Sequence, residues 1–238
     1  MTNKDEELFK WAFSNPNRRH EVRDQITSAE WAYEWALEWP EDRHIMRDRI
    51  NESKWAYQWT RDWPQDKDIM LDRITESEWA YEWAIDWLED KNIMRDRIVD
   101  SYWAYRWAQR WPEDKDIMRK QIHGDHWIYR WAKKWPEDKD IIRDRINGPQ
   151  AALQWAKKWP EDKDIMRKRI TGVFWIFEWI QIWPEDKAIL QKRITDPKLA
   201  FQWLKEIGPD PLMLEICKKD KEIYNKALEL VLQGEKRS

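Results

Sequence analysis

The chain has one cysteine, Cys217, among 238 residues, which excludes an internal disulfide framework and a cysteine-built metal cluster. Histidine is nearly as scarce, at four. The five glycines are dispersed, and no GxxxxGK, nucleophile elbow or CxxC occurs. Long apolar runs are also missing. The greasiest stretch, Val173–Trp183, contains Glu178 and is too short and too charged to span a bilayer. The opening MTNKDEELFK lacks the apolar heart of a secretory signal, so a soluble cytoplasmic protein is expected. Nor is there an excess of one charge. Charged residues make up 37%, yet the net charge is −3, so nothing global calls for nucleic acid or an acidic membrane.

What the chain has in abundance is tryptophan, 22 residues of it, and a fixed period. Ile26, Ile50, Ile74, Ile98, Ile122, Ile146, Ile170 and Ile194 recur every 24 residues without insertion or deletion. The stretch Thr75–Ile98 is the type copy, and seven full copies run from Thr27 to Ile194. A period of this size is the signature of a stack whose units cannot bury their apolar faces alone. The expected fold is therefore an all-α solenoid, a superhelical stack of two-helix repeats forming a single domain over 1–238. Residues 1–26 align by register as an N-terminal cap, with Glu7 and Asn15 at two of the three Trp positions. Residues 195–238 read as a degenerate repeat, broken at Gly208-Pro209-Asp210-Pro211, plus a capping helix near Asp220–Leu232.

Each repeat reads as two helices. In the first copy a helix over Ser28–Trp39 carries Trp31, Trp35 and Trp39, with Ala32, Tyr33 and Ala36 widening the stripe. Thr27–Glu30 and Thr75–Glu78 fit capping boxes, and Gly148-Pro149 and Asp196-Pro197 suit a cap followed by first-turn proline. Trp39-Pro40 ends the helix, although Leu88 replaces the proline in copy three. A second helix over Asp42–Ile50 points Ile45, Met46 and Ile50 inward, with the recurring Asp42 as N-cap or first-turn acid. Met46-Arg47-Asp48-Arg49-Ile50 and its copies resemble the V-R-x-x-V core of the leucine-rich variant repeats, which share the 24-residue length, and more loosely HEAT-like repeats. The former alternate an α-helix with a 3₁₀-helix, which raises that question for this chain. The resemblance implies a curved scaffold rather than a reaction.

The Trp stripe has helical spacing and repeats in copy after copy, as a core does; stacking platforms for bases are the rival use. The Arg49 column could meet phosphates, but it also suits the helix dipole and pairing with a neighbouring Asp42-column acid. His123-Gly-Asp-His126 has the outline of a metal pair, straddles a helix start, and reads as a turn. An enzyme needs unlike groups brought together, whereas this chain offers like groups at equal intervals, so no catalytic residues, metal or cofactor are expected.

The exposed stripe of the first helix is what varies. Copies one to three present Glu30, Glu34, Glu38, Asp62, Glu78, Glu82 and Asp86, against only Lys54 and Arg61. Copies four to six present Arg106, Arg110, Arg130, Lys133, Lys134, Lys157 and Lys158, and copy seven exposes Phe174 and Ile182 unless the tail helix covers them. Residues 1–122 hold 20 basic and 27 acidic side chains, and 123–238 hold 23 and 19. A uniform frame with differing exposed residues is how a solenoid carries a recognition surface. The expected function is non-catalytic binding of a protein or peptide along this stripe. Nucleic-acid backbone binding through the seven cations is the alternative, and self-association through the apolar seventh copy is a third possibility.

Overall fold

The computed structural model describes residues 4–235. All elements among them are helical, on the 24-residue period, so the fold is an all-α solenoid. The chain divides into two compact bodies, Met1–Ile122 and His123–Ser238. In the first, a cap helix over Lys4–Ser14 precedes four ten-residue first helices, Ala29–Glu38, Ser53–Asp62, Ser77–Asp86 and Ser101–Arg110, each packed on the next. In the second, Asp125–Lys134, Pro149–Lys158, Val173–Ile182 and Pro197–Glu206 repeat that arrangement. Helices Pro211–Cys217 and Lys221–Glu235 fold onto Pro197–Glu206 and close the second body.

The second half of each repeat differs from the continuous helix expected. Trp39 turns out of the helical region (φ −127°, ψ 82°), and Pro40–Asp42 forms a 3₁₀ turn. One α-turn, Arg43–Arg47, follows, and Ile50 lies beyond it. Several copies end in another 3₁₀ turn, as at Arg143–Arg145 and Gln191–Arg193. Leu88–Asp90 adopts the same 3₁₀ turn without proline, so the tryptophan before it, not the imide, carries the break. A single helical turn has room for only one inward side chain. Met46, Met70, Met94, Met118, Ile142, Met166 and Leu190 take that place and are buried with the anchor isoleucines. The neighbouring column, expected inside, is less buried: Ile45 and Ile165 are half-buried and Ile69, Ile93, Ile117, Ile141 and Ile189 are exposed, because adjacent positions point about 100° apart.

The middle tryptophan of every repeat is fully buried: Trp35, Trp59, Trp83, Trp107, Trp131, Trp155 and Trp179. The first and third tryptophans of the repeat are mostly half-buried. Each middle indole packs against the third ring of its own repeat, with centroids 4.2–4.4 Å apart. Its Nε1–H donates to the aspartate seven residues on, at 2.8–3.2 Å. Asp42 and its copies stand at the N-cap position of the short helix, as expected, but none makes a side-chain cap bond to it. The 3₁₀ turn tucks the carboxylate under the indole instead.

The same carboxylate also ties its repeat to the preceding one. Asp162 meets Lys139 Nζ at 3.3 Å and Arg143 Nη1 at 2.8 Å, and Asp186 meets Lys163 at 3.3 Å and Arg167 at 2.6 Å. Asp42, Asp66 and Asp114 receive equivalent pairs. The Arg49 column does not supply these cations, contrary to expectation; the columns two and six residues earlier do. Arg49 donates to the Arg23 carbonyl at 2.5 Å, Arg73 to Ile50 O at 2.5 Å, Arg97 to Ile74 O at 2.6 Å and Arg193 to Arg167 O at 2.7 Å. These guanidinium groups thus cap carbonyls left open where the previous repeat's short helix stops.

Helix starts follow the same inter-repeat logic. Ser28 caps its helix, accepting from Trp31 N–H at 3.3 Å, so the cap lies one residue after Thr27. At Thr75–Glu78 no capping box forms. There the Oγ of Ser53, one repeat earlier, accepts from Thr75 N–H (2.9 Å) and Glu76 N–H (3.2 Å). Ser77 does this for Val99 and Asp100, Asp5 for Thr27 and Ser28, and Asp125 for Asn147 and Gly148. A Cβ on Gly148 would lie 2.6 Å from Asp125 Oδ2, so a larger residue there would push that carboxylate aside.

The indole–carboxylate lattice stops at Trp203. The aspartate seven residues on is Asp210, but Gly208 (φ 106°) and the proline displaced to 209 abolish the 3₁₀ turn. Asp210 instead caps Pro211–Cys217, accepting from Leu212 and Met213 N–H. Trp203 Nε1 is buried with no acceptor among the described residues. Two stability outcomes follow, both read by urea and thermal unfolding. Trp107→Ala is expected to cost about 3–5 kcal/mol, as other large-to-small aromatic truncations do. Trp179→Phe should cost about 1–3 kcal/mol more than Trp203→Phe, because only Trp179 gives up a satisfied donor.

Candidate functional site

The first helices position the variable stripe. Pro or Leu at the helix end and three tryptophans per turn system leave one free face, and the structure places the stripe residues there. On the first body Glu30, Glu38 and Glu78 are exposed, and Glu34 and Glu82 are half-buried. Asp62 and Asp86 are exposed but already engaged, accepting the Tyr33 and Tyr57 phenols at 2.5 and 2.7 Å. They belong as much to the frame as to a recognition surface. Arg106 lies over the Tyr81 and Tyr102 rings, and Arg110 over Trp111, with guanidinium-to-ring distances of 5.5–5.9 Å.

On the second body the structure brings Arg130, Lys133, Lys134, Lys157 and Lys158 onto two adjacent helices, all exposed. Arg130 stacks on Trp127 at 5.1 Å. The four lysines have no acidic partner among the described residues. Phe174 and Ile182 are 58% and 38% exposed, because the tail helix Lys221–Glu235 packs on Pro197–Glu206 and Pro211–Cys217 and does not reach over them. A cavity of about 300 Å³ runs beside Phe174, lined by Phe177, Glu178, Gln202 and Glu206.

Sequence reasoning missed two surface features. The exposed isoleucine row of the short helices is one; its signal was the strict recurrence of two adjacent apolar residues on a helix too short to bury both. The other is a cavity of about 510 Å³ on the second body, bordered by Asp125, His126, Tyr129, Gln150, Ala151, Gln154 and Trp175. Its signal was Ala151, which stands where the other six full repeats have tryptophan. His123 and His126 flank the helix start at Asp125, with Gly124 at φ 75°. His123 Nδ1 lies 3.5 Å from Arg145 and His126 sits on the cavity rim. Among the described residues no group of three or more His, Cys, Asp or Glu is placed to hold a metal ion, and no helix is long and apolar enough to cross a membrane.

The perturbed titrations trace the frame. For Asp42, Asp114, Asp162 and Asp186, burial pushes the carboxyl up. The indole N–H and the cations from the preceding repeat outweigh it and hold each below the usual carboxylate range. Burial and the Asp86 carboxylate push the Tyr57 phenol up to about 12, and Tyr33 moves the same way beside Asp62. Burial also raises the Cys217 thiol, whose Sγ faces the Pro197 carbonyl at 3.7 Å. None of these groups lies in the Ala151 cavity or the one beside Phe174. No family model, curated protein or solved structure matches the chain.

Because the aspartate pKa values are lowered in the folded state, their stabilisation is fully present above the unfolded value of about 3.9. It is lost as pH falls through the lowered folded values. Melting temperature should therefore hold from neutral pH to about pH 5 and drop steeply below 4. Asp114→Asn should lower it at pH 7 and make the acid drop shallower, as thermal scans from pH 7 to 2 would read. An unchanged acid limb in that variant would remove Asp114 from the linkage.

Proposed function

We propose that this chain is a non-catalytic, cytoplasmic repeat scaffold that takes a protein or peptide partner along the exposed stripe of its first helices. One observation carries the reading: the recurring indole, aspartate and arginine columns are used largely in contacts within the array, while Lys133, Lys134, Lys157, Lys158, Phe174 and Ile182, which differ between repeats, stand in solvent. The middle indoles of the seven repeats pair with the Asp42-column carboxylates, and Arg49, Arg73, Arg97 and Arg193 of the Arg49 column donate to backbone carbonyls. What remains for recognition on the second body is a set of unpaired lysines and the apolar Phe174 and Ile182. Charge of this kind sets orientation and encounter rate, and buried apolar anchors set residence time. The resemblance to leucine-rich variant and HEAT-like repeats, families of scaffolds, points the same way.

The lysines also support a second reading, in which the phosphate backbone of a nucleic acid lies across Arg130, Lys133, Lys134, Lys157 and Lys158 on the second body. Quantitative capture from native-host extract decides between them. Reversing Lys133, Lys134, Lys157 and Lys158 to glutamate should cut capture of a protein partner roughly tenfold, about 1.4 kcal/mol. Stability should stay within about 0.5 kcal/mol, as for other surface changes. A gel shift with single- and double-stranded oligonucleotides in parallel should show no tight complex. Micromolar binding that falls by orders of magnitude between about 50 and 200 mM salt, and is lost in the reversed variant, would transfer the function to nucleic acid.

A further inference from the structure

Within the second body the repeat pattern is interrupted at one spot, and the interruption has the shape of a missing side chain. In the first body three first-helix tyrosines pack against the leading tryptophan of the next repeat. Tyr33–Trp55, Tyr57–Trp79 and Tyr81–Trp103 have ring centroids 5.2–5.4 Å apart, tilted by about the same angle each time. Tyr129 has no such neighbour, because residue 151 is alanine. Trp175, one repeat further, has Leu153 where the other copies supply tyrosine or phenylalanine before it. Two ring partners are thus absent from one place, and the result is the cavity of about 510 Å³ between Tyr129 and Trp175, floored by Pro149 and Ala151.

The rim is polar in a particular way. Asp125 is held there by the backbone N–H groups of Asn147 and Gly148, at 2.9 and 2.7 Å, so its carboxylate is fixed at the edge. Gln150 and Gln154 are exposed and put amide donors and acceptors at the mouth. Beyond Gln154 the surface continues as a shallow depression of about 310 Å³ lined by Tyr129, Gln154, Lys157 and Lys158. The two lysines have no acidic partner among the described residues.

We propose that this notch is the receptor for one planar aromatic side chain, of indole size, presented by an acidic peptide segment. The inference rests on the protein-binding reading above and names its anchor. The array itself supplies the template: an incoming indole against Tyr129 reproduces what Trp79 does against Tyr57. Gln150 and Gln154 pair with the peptide backbone flanking the ring, and Lys157 and Lys158 meet its carboxylates. The gain comes from burying an aromatic ring in a preformed slot, with the lysines adding charge complementarity. A nucleobase could use the same aromatic walls. The fixed Asp125 carboxylate at the rim repels a phosphate and accepts an indole N–H, which favours the peptide.

The test uses full-length protein and two fluorescein-labelled acidic peptides, identical except that one carries a central tryptophan and the other alanine there, read by anisotropy. Wild type should bind the tryptophan peptide at least about tenfold more tightly than the alanine peptide, as an aromatic hot spot does. Ala151→Trp fills the notch with the framework's own side chain. It should raise the melting temperature and bring the tryptophan peptide down to the alanine peptide's affinity. Lys157→Glu with Lys158→Glu should weaken both peptides while keeping their ratio. Equal binding of the two peptides by wild type, or a preference that survives Ala151→Trp, overturns the notch. If both peptides then still respond to the lysine reversal, the stripe reading stands and only the anchor is lost. Binding of N-acetyltryptophanamide with neither peptide bound overturns the peptide assignment. So does displacement of the tryptophan peptide by a single-stranded oligonucleotide whose own binding is lost in Ala151→Trp.

Discussion

The structure depends on one hydrogen bond made seven times, from a buried indole N–H to an aspartate seven residues later that is itself buried in six of the seven. Burying either group alone is costly. An indole without an acceptor and a carboxylate without donors each carry a desolvation cost of kilocalories. Together, and with cations reaching in from the preceding repeat, they are satisfied on all sides. The bond dictates the local chain path as well. The carboxylate reaches the indole only because the helix stops at the third tryptophan and the chain tightens into a 3₁₀ turn. Proline helps to set that turn, yet Leu88 shows that it is not required. Where Leu71 replaces the usual arginine, Asp90 keeps its indole and Lys67 and is less buried than its counterparts.

Much of this was legible in the residues. The isoleucine period set the repeat, and helical spacing placed Trp35 and its copies in the core. Copy-by-copy comparison isolated the exposed stripe. What escaped was the destination of the polar side chains. Aspartate at a helix start ordinarily reads as a cap, and nothing local says that Asp42 turns back to an indole seven residues earlier. Arg49 and Ser53 likewise satisfy backbone groups about 20 to 26 residues away, across the stack, where a reading along one helix does not look. Ile69 and its copies were placed inside because apolar pairs usually face inward, and a helix of one turn has only one inward position.

The candidate site was half legible for the same reason. Charges on a free helix face can be read off a repeat alignment, and the lysines at 133, 134, 157 and 158 stand where expected. Asp62 and Asp86 looked like members of the same surface, but each takes a tyrosine from the preceding repeat and so helps hold the array together. The notch at residue 151 is a negative feature, a ring that is not there. Composition and spacing record such an absence as a small irregularity, whereas three dimensions turn it into a volume with walls.

The anchoring bonds span fixed separations: 7 residues within a repeat, and 19, 22, 23 or 26 between consecutive ones. Every span is shorter than two periods. A whole 24-residue block could therefore be excised or duplicated, and each donor would find an equivalent acceptor at the new junction. Loss or gain of a few residues would instead misplace every partner downstream of the change. A gene coding for such a chain is free to evolve in length by unequal exchange between its own copies, in whole-block steps. The absence of any insertion or deletion across seven copies is what that rule leaves behind.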